Sequence, residues 1–214
     1  MALAEKLNEF KKGFIEKVPQ DVQTLMQQAT QHLADSGIVL NAPKKGDKLP
    51  EFTLPNAQGN NVLLSNLLAK GPVVITFYRG GWCPYCNLEL RAYQDSLAEI
   101  KALGATLVAI TPELPDASLS TTQANELEFE VLSDVNAKYA KDLGLVFSLP
   151  EELRPIYLSF GIAVEEHNGE NQFDLPLAAT FVVGQDGIIA SAFVEEDYTL
   201  RQEPSEVIEV LKSL

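Results

Sequence analysis

Val73-Val74-Ile75-Thr76-Phe77-Tyr78, followed directly by Arg79-Gly80-Gly81-Trp82-Cys83-Pro84-Tyr85-Cys86, decides how the rest of the chain is read. The first six residues are apolar, β-branched or aromatic with one Thr inside, as in a central strand buried on both faces. After the cysteines, a helical stretch runs from Leu88 to Leu103 and closes on Gly104. Cys83 and Cys86 therefore lie where the chain leaves a buried strand and enters a long helix. The free N–H groups and dipole of a helix N-terminus stabilise an anion, so a thiol there ionises below its ordinary value of about 8.5. A thiolate attacks disulfides and peroxides. A neighbouring thiol can then condense with the oxidised first one before over-oxidation occurs. Pro84 stiffens the loop, and Trp82 is placed to cover one side of the pair.

Other uses of the pair fit less well. Cys83 and Cys86 are the only cysteines of the 214 residues, so there is no disulfide scaffold. A structural zinc needs a tetrahedral ligand set, and only His32 and His167 remain as soft donors, each solitary in the sequence. The same scarcity of histidine disfavours a Cys–His hydrolase. Inert core thiols would not require this turn. His32 reads as capping the edge of a helix stripe and His167 as a solvated loop residue. Gly80-Gly81 lacks the frame of a dinucleotide fingerprint and no phosphate loop is present, so no cofactor and no metal are implied.

Working outward, a second buried strand spans Thr106 to Thr111 and ends at Pro112. A helix is expected at Ala117 to Leu127, a short strand at Glu130 to Leu132, and a helix from Val135 to Leu143 capped by Gly144. Phe147 to Leu177 reads as irregular and polar, with Glu165 to Asn171 an exposed loop. Thr180 to Val183, a Gly-Gln-Asp-Gly turn and Ile188 to Val194 form a hairpin, and Pro204 opens a last helix. This is a mixed α/β sheet covered on both faces.

The first 42 residues differ in texture. Leu3, Leu7, Phe10 and Phe14 make one helical stripe, and Val22, Leu25, Ala29 and Leu33 make a second after Pro19. They form a helical arm, which packs either on its own domain or across a homodimer. The chain is thus divided into an arm, 1–42, and a redox domain, 43–214.

The net charge of −14 repels phosphate backbones and anionic lipid, so nucleic acid and membrane surfaces are not expected partners. The longest apolar run is too short to cross a bilayer, and charge at Glu5 and Lys6 interrupts any secretory signal. A cytoplasmic location is the expectation.

From about Pro43 onward the chain resembles the AhpC/TSA-type, peroxiredoxin-like branch of the thioredoxin superfamily. The resemblance is carried by Gly46-Asp47-Lys48-Leu49-Pro50-Glu51-Phe52-Thr53-Leu54-Pro55, by Phe77 to Cys86, by Val131-Leu132-Ser133-Asp134, and by Ala179-Thr180-Phe181-Val182-Val183. It implies a thioredoxin-like fold with an N-terminal helical extension. It also implies a thiol-dependent peroxidase that reduces hydroperoxides through a sulfenic acid and disulfide, regenerated by thioredoxin or a similar dithiol protein. A thiol–disulfide oxidoreductase without peroxidase activity is the alternative, and a redox-sensing binding module a third.

The departures matter. The peroxiredoxin motif Pro-x-x-x-Thr/Ser-x-x-Cys, laid on without gaps, places Arg79 on the Pro, Cys83 on the Thr and Cys86 on the peroxidatic Cys; Glu89 matches a further position. The thioredoxin motif instead makes Cys83 the attacker and Cys86 the resolver, the first sulfur being the exposed one. The family's peroxide-polarising Arg is replaced by Ala178-Ala179, leaving Arg79, nearer in sequence, or Arg201 to supply a cation. The candidate catalytic residues are Cys83, Cys86, Arg79, Glu89 and Trp82, with Arg79 also open to a role as an exposed salt-bridge partner.

Overall fold

The computed structural model describes residues 2–214. Helices α1 (Leu3–Ile15) and α2 (Gln20–Asp35) come first, the second starting directly after Pro19. An antiparallel hairpin of β1 (Thr53–Pro55) and β2 (Asn61–Leu63) leads into α3 (Leu64–Leu68). Then follow β3 (Val73–Phe77), α4 (Pro84–Ala102), β4 (Thr106–Thr111), α5 (Pro115–Ala124), β5 (Glu130–Ser133) and α6 (Lys138–Asp142). The chain ends with β6 (Val146–Ser148), α7 (Arg154–Ser159), α8 (Val164–Asn168), β7 (Asp174–Pro176), β8 (Ala178–Val183), β9 (Ile189–Glu195) and α9 (Pro204–Lys212).

The main sheet has the order β5-β4-β3-β8-β9, parallel across the first three strands and antiparallel from β3 to β8 to β9. β3 lies at its centre and is buried throughout, as its apolar run requires. The period of two along the strand sorts its side chains. Val73, Ile75 and Phe77 join a core with Leu64, Leu67 and Tyr139. Val74 joins the opposite core, beneath Leu90, Tyr93 and Leu97 of α4 and Val207 and Leu211 of α9. The fold is α/β and thioredoxin-like.

Two stretches differ from the sequence reading. Residues 147–177 are not irregular: they carry β6, α7, α8 and β7, and Leu149, Leu153, Tyr157, Val164 and Leu175 build a third core of their own. Each element is three to six residues long, too short for a periodic pattern to declare it. Residues 165–168 are likewise helical and not an open loop, with Asn168 buried.

The arm packs on its own chain. Leu3 and Leu7 are buried in the core that includes α4 and α9, each contributing about 1.5–3 kcal/mol of apolar burial. The Glu203 carboxylate accepts the N–H groups of Leu3 at 3.1 Å and Ala4 at 2.6 Å, satisfying donors that a helix start leaves free. Helix α2 lays Leu25, Met26 and Ala29 against the third core. No helix among the described residues is long and apolar enough to cross a membrane.

Candidate active site

Helix α4 begins at Pro84, four residues before the start read from the sequence, because Pro is pre-shaped for the first helical position and its missing N–H is no loss there. Cys83 is thus the N-cap residue and Cys86 lies in the first turn. The Cys83 N–H donates to the Gly80 carbonyl at 3.0 Å, and Asn87 Nδ2 donates to the Gly81 carbonyl at 2.7 Å, which ties the loop to the helix. Both glycines are sterically required. A Cβ on Gly80 would lie 2.2 Å from Trp82 Nε1, and one on Gly81 would lie 2.0 Å from Thr121 Oγ1.

Both cysteines are free thiols and both are buried. The expectation of an exposed first sulfur is therefore corrected: Cys83 is reached through a cleft of about 190 Å³ that it lines together with Arg79, Trp82 and Tyr157. Cys86 is fully enclosed. Burial pushes the Cys83 thiol up, but a hydrogen bond from Cys86 and the charges of Arg79 and Arg201 outweigh it and hold the thiol below its ordinary value. Cys86 is pushed the other way, by its burial and by the neighbouring Cys83 sulfur.

The two arginines divide the site between them. Arg79 is buried, not exposed, and makes no carboxylate contact among the described residues, which removes the salt-bridge reading. Its guanidinium lies 4.9 Å from the Trp82 ring centre, 5.5 Å from that of Tyr157 and 4.6 Å from that of Tyr198. Its Nη2 also donates to the Tyr157 hydroxyl, while Nε has no partner. Aromatic faces can hold a cation without neutralising it. Arg201, although farther along the chain, is the arginine that touches a sulfur: Nη2 donates to Cys86 Sγ at 3.3 Å.

Arg201 Nε also donates to Glu89 Oε2 at 2.6 Å, and its Nη1 donates to the carbonyls of Tyr198 and of Leu200, the latter at 2.7 Å. Burial pushes the Glu89 carboxyl up to about 7 against the opposing pull of Arg201. Its other oxygen accepts from Thr76 Oγ1 at 3.1 Å, and Thr180 Oγ1 donates to Thr76 Oγ1 at 3.2 Å. These threonines pair across β3 and β8 and are wholly buried. A polar chain thus runs from the sheet centre to Cys86.

Of the residues singled out in the sequence, Cys83, Arg79 and Trp82 come together at the cleft, and Cys86 and Glu89 meet behind it through Arg201. Tyr157, Tyr198, Thr76 and Thr180 were not singled out. The Thr inside an otherwise apolar strand was a signal, since a buried hydroxyl needs a partner. The two tyrosines had none, lying 78 and 119 positions from Arg79. His167 is a correction: it is half-buried in α8, with Nδ1 3.0 Å from Glu113 Oε1, and the nearby Glu113 side chain raises its pKa. Glu113 is itself fully buried.

The sequence model of the AhpC/TSA family matches residues 45–192, and the chain belongs to that family. It is a peroxiredoxin-like member of the thioredoxin superfamily and a thiol-dependent peroxidase. Among particular proteins, it is 30% identical to the chloroplastic peroxiredoxin Q of Triticum aestivum over 159 residues, 73% of each chain. The structure of peroxidoxin BcpB from Mycobacterium tuberculosis superposes with a TM-score of 0.63 at 22% identity, over 80% of this chain and 97% of that one. The bacterioferritin comigratory protein of Xanthomonas campestris gives a TM-score of 0.57 at 16% identity, over 76% and 90% of the two chains. At those identities the structural matches speak for the fold alone.

Proposed function

We propose that Cys83 attacks the hydroperoxide and Cys86 resolves it. The observation that carries this is access: Cys83 borders the cleft beside the uncompensated Arg79, whereas Cys86 is enclosed. The Cys83 thiolate attacks the terminal oxygen of ROOH and the O–O bond breaks. The alkoxide takes up the proton that the Cys83 thiol released on ionising and leaves as ROH, and Cys83 becomes a sulfenic acid. The Cys86 thiol then attacks the Cys83 sulfur, hydroxide leaves with the thiol proton as water, and a disulfide within one chain results. A dithiol protein such as thioredoxin returns both thiols. Arg79 stabilises the charge that passes from sulfur to the leaving oxygen, and Trp82 and Tyr157 hold it in place. Glu89, through Arg201, positions the cation at Cys86.

The contact of Arg201 with Cys86 favours a second reading in which Cys86 attacks and Cys83 resolves. Both readings use one chain, so no homodimer is required. We assign residues 1–42 to an arm and 43–214 to the redox domain, working in a reducing compartment such as the cytoplasm. Intact-mass analysis after one equivalent of peroxide tests the cycle. Loss of two hydrogens with both thiols blocked to alkylation supports it. A dithiol that survives peroxide but reduces insulin would instead indicate the oxidoreductase.

A further inference from the structure

The cleft at Cys83 is walled on one side by residues that lie outside the matched family region: Phe10, Phe14 and Met26, from α1 and α2. Phe10 packs edge-on against Tyr85 at 5.0 Å between ring centres, and Phe14 edge-on against Phe160 at 5.8 Å. The arm therefore touches two aromatic residues that line the cleft, Tyr85 and Phe160, and Cys83 and Arg79 are buried polar groups of the same lining. An apolar cavity of about 150 Å³ is enough to hold a benzene ring. At about 190 Å³, this cleft accommodates an aryl or branched alkyl group beside the sulfur.

We infer that the N-terminal arm is part of the substrate site, and that Phe14 and Met26 set its specificity by receiving the organic group of the hydroperoxide. This rests on the reading of Cys83 as the attacking residue. An organic hydroperoxide places its O–O bond between Cys83 and Arg79 and its carbon skeleton against Phe14, Met26 and Ile162. Hydrogen peroxide, with no skeleton, gains nothing from that wall. Apolar contact of this size changes kcat/KM by about 10-fold or more.

The test compares wild type with Phe14→Ala and Met26→Ala, using cumene hydroperoxide and hydrogen peroxide as substrates. The chain has a single tryptophan, Trp82, and it lines the cleft. Its fluorescence therefore reports binding of 2-phenyl-2-propanol, the alcohol product, without any turnover. The expected result is that the ratio of kcat/KM for cumene hydroperoxide to that for hydrogen peroxide falls by about 10-fold in each variant. The dissociation constant of the alcohol should rise in parallel. A ratio that stays constant or rises, or an alcohol that binds equally well to all three proteins, overturns the assignment. Peroxidase activity absent in wild type, with saturable alcohol binding that weakens in the variants, would instead fault the catalytic reading and keep the subsite. Met26 is only half-buried, so Met26→Ala keeps the comparison open should Phe14→Ala fail to fold.

Discussion

Replacing Arg201 by Met is expected to destabilise the fold strongly, by an amount that follows from its surroundings. Arg201 and Glu89 are each 1% exposed and joined at 2.6 Å, so water cannot replace the lost partner. The variant leaves a carboxyl buried beside Cys86 and strips the carbonyls of Tyr198 and Leu200 of their donor. Removing one member of a buried pair costs about 3–5 kcal/mol, a large share of a typical stability of about 5–15 kcal/mol. The measurement belongs at mildly alkaline pH, above the Glu89 value of about 7 in the intact pair, because losing Arg201, whose charge pulls that value down, pushes the carboxyl higher still. With a urea slope of about 2 kcal/mol per molar, the reduced protein should lose about 2 M in its unfolding midpoint. Adding Glu89→Met should recover most of that loss, because an apolar pair can replace a buried ion pair at little cost. A shift of the single variant below about 0.5 M, or a double variant weaker than the single, would refute the view that this pair holds the back of the site together.

Gly81→Ala should destabilise by about 1–3 kcal/mol, since its Cβ meets Thr121 2.0 Å away, and urea unfolding checks it; adding Thr121→Ala should relieve part of the loss. His167 is more basic in the folded chain than in the unfolded one, so its contribution is fully present below the unfolded value of about 6.5 and is lost as pH rises through the higher folded value. His167→Gln should flatten that part of the stability–pH curve, and unchanged curvature in thermal melts across the window would remove the Glu113 pairing from the account. Glu89 runs the same way for a different reason. Its raised value means that the folded chain holds the proton more tightly, so its contribution is greatest below the unfolded value and falls as pH rises toward about 7. Glu89→Gln should abolish that fall in urea titrations.

The strand–turn–helix around Cys83 was legible because each signal there is local. The apolar, β-branched run and the helical pattern closing on Gly104 were both readable in place, but the helix start was read four residues late, because Pro84 was taken to stiffen the loop and not to open the helix. The second strand, Thr106–Thr111, was legible from local signals as well. The aromatic side of the site was not. Tyr157 reaches Arg79 from α7, a helix of six residues with Pro155 in its first turn, and Tyr198 reaches it from the loop between β9 and α9. Nothing in their own neighbourhoods marks either as facing a cation. Sequence distance could not divide the work of the two arginines: Arg79, adjacent to the motif, lines the cleft with Cys83, whereas Arg201 reaches Cys86 by way of the C-terminal loop. His167 was misread because a lone polar residue in a charged stretch looks solvated until the buried Glu113 beneath it is seen.

The central claim is that the Cys83 thiolate attacks, and sulfenic-acid trapping in single-cysteine variants tests it most directly. Cys83→Ser and Cys86→Ser are each mixed with cumene hydroperoxide in the presence of a dimedone-type trap, and the rate of adduct formation is followed by mass. The account predicts a trapped Cys83 adduct in Cys86→Ser at a rate near that of wild-type peroxide consumption. It predicts a reaction slower by orders of magnitude in Cys83→Ser, whose remaining sulfur is enclosed. Rapid trapping at Cys86 in Cys83→Ser, with Cys86→Ser inert, would contradict it and reverse the roles of the two sulfurs.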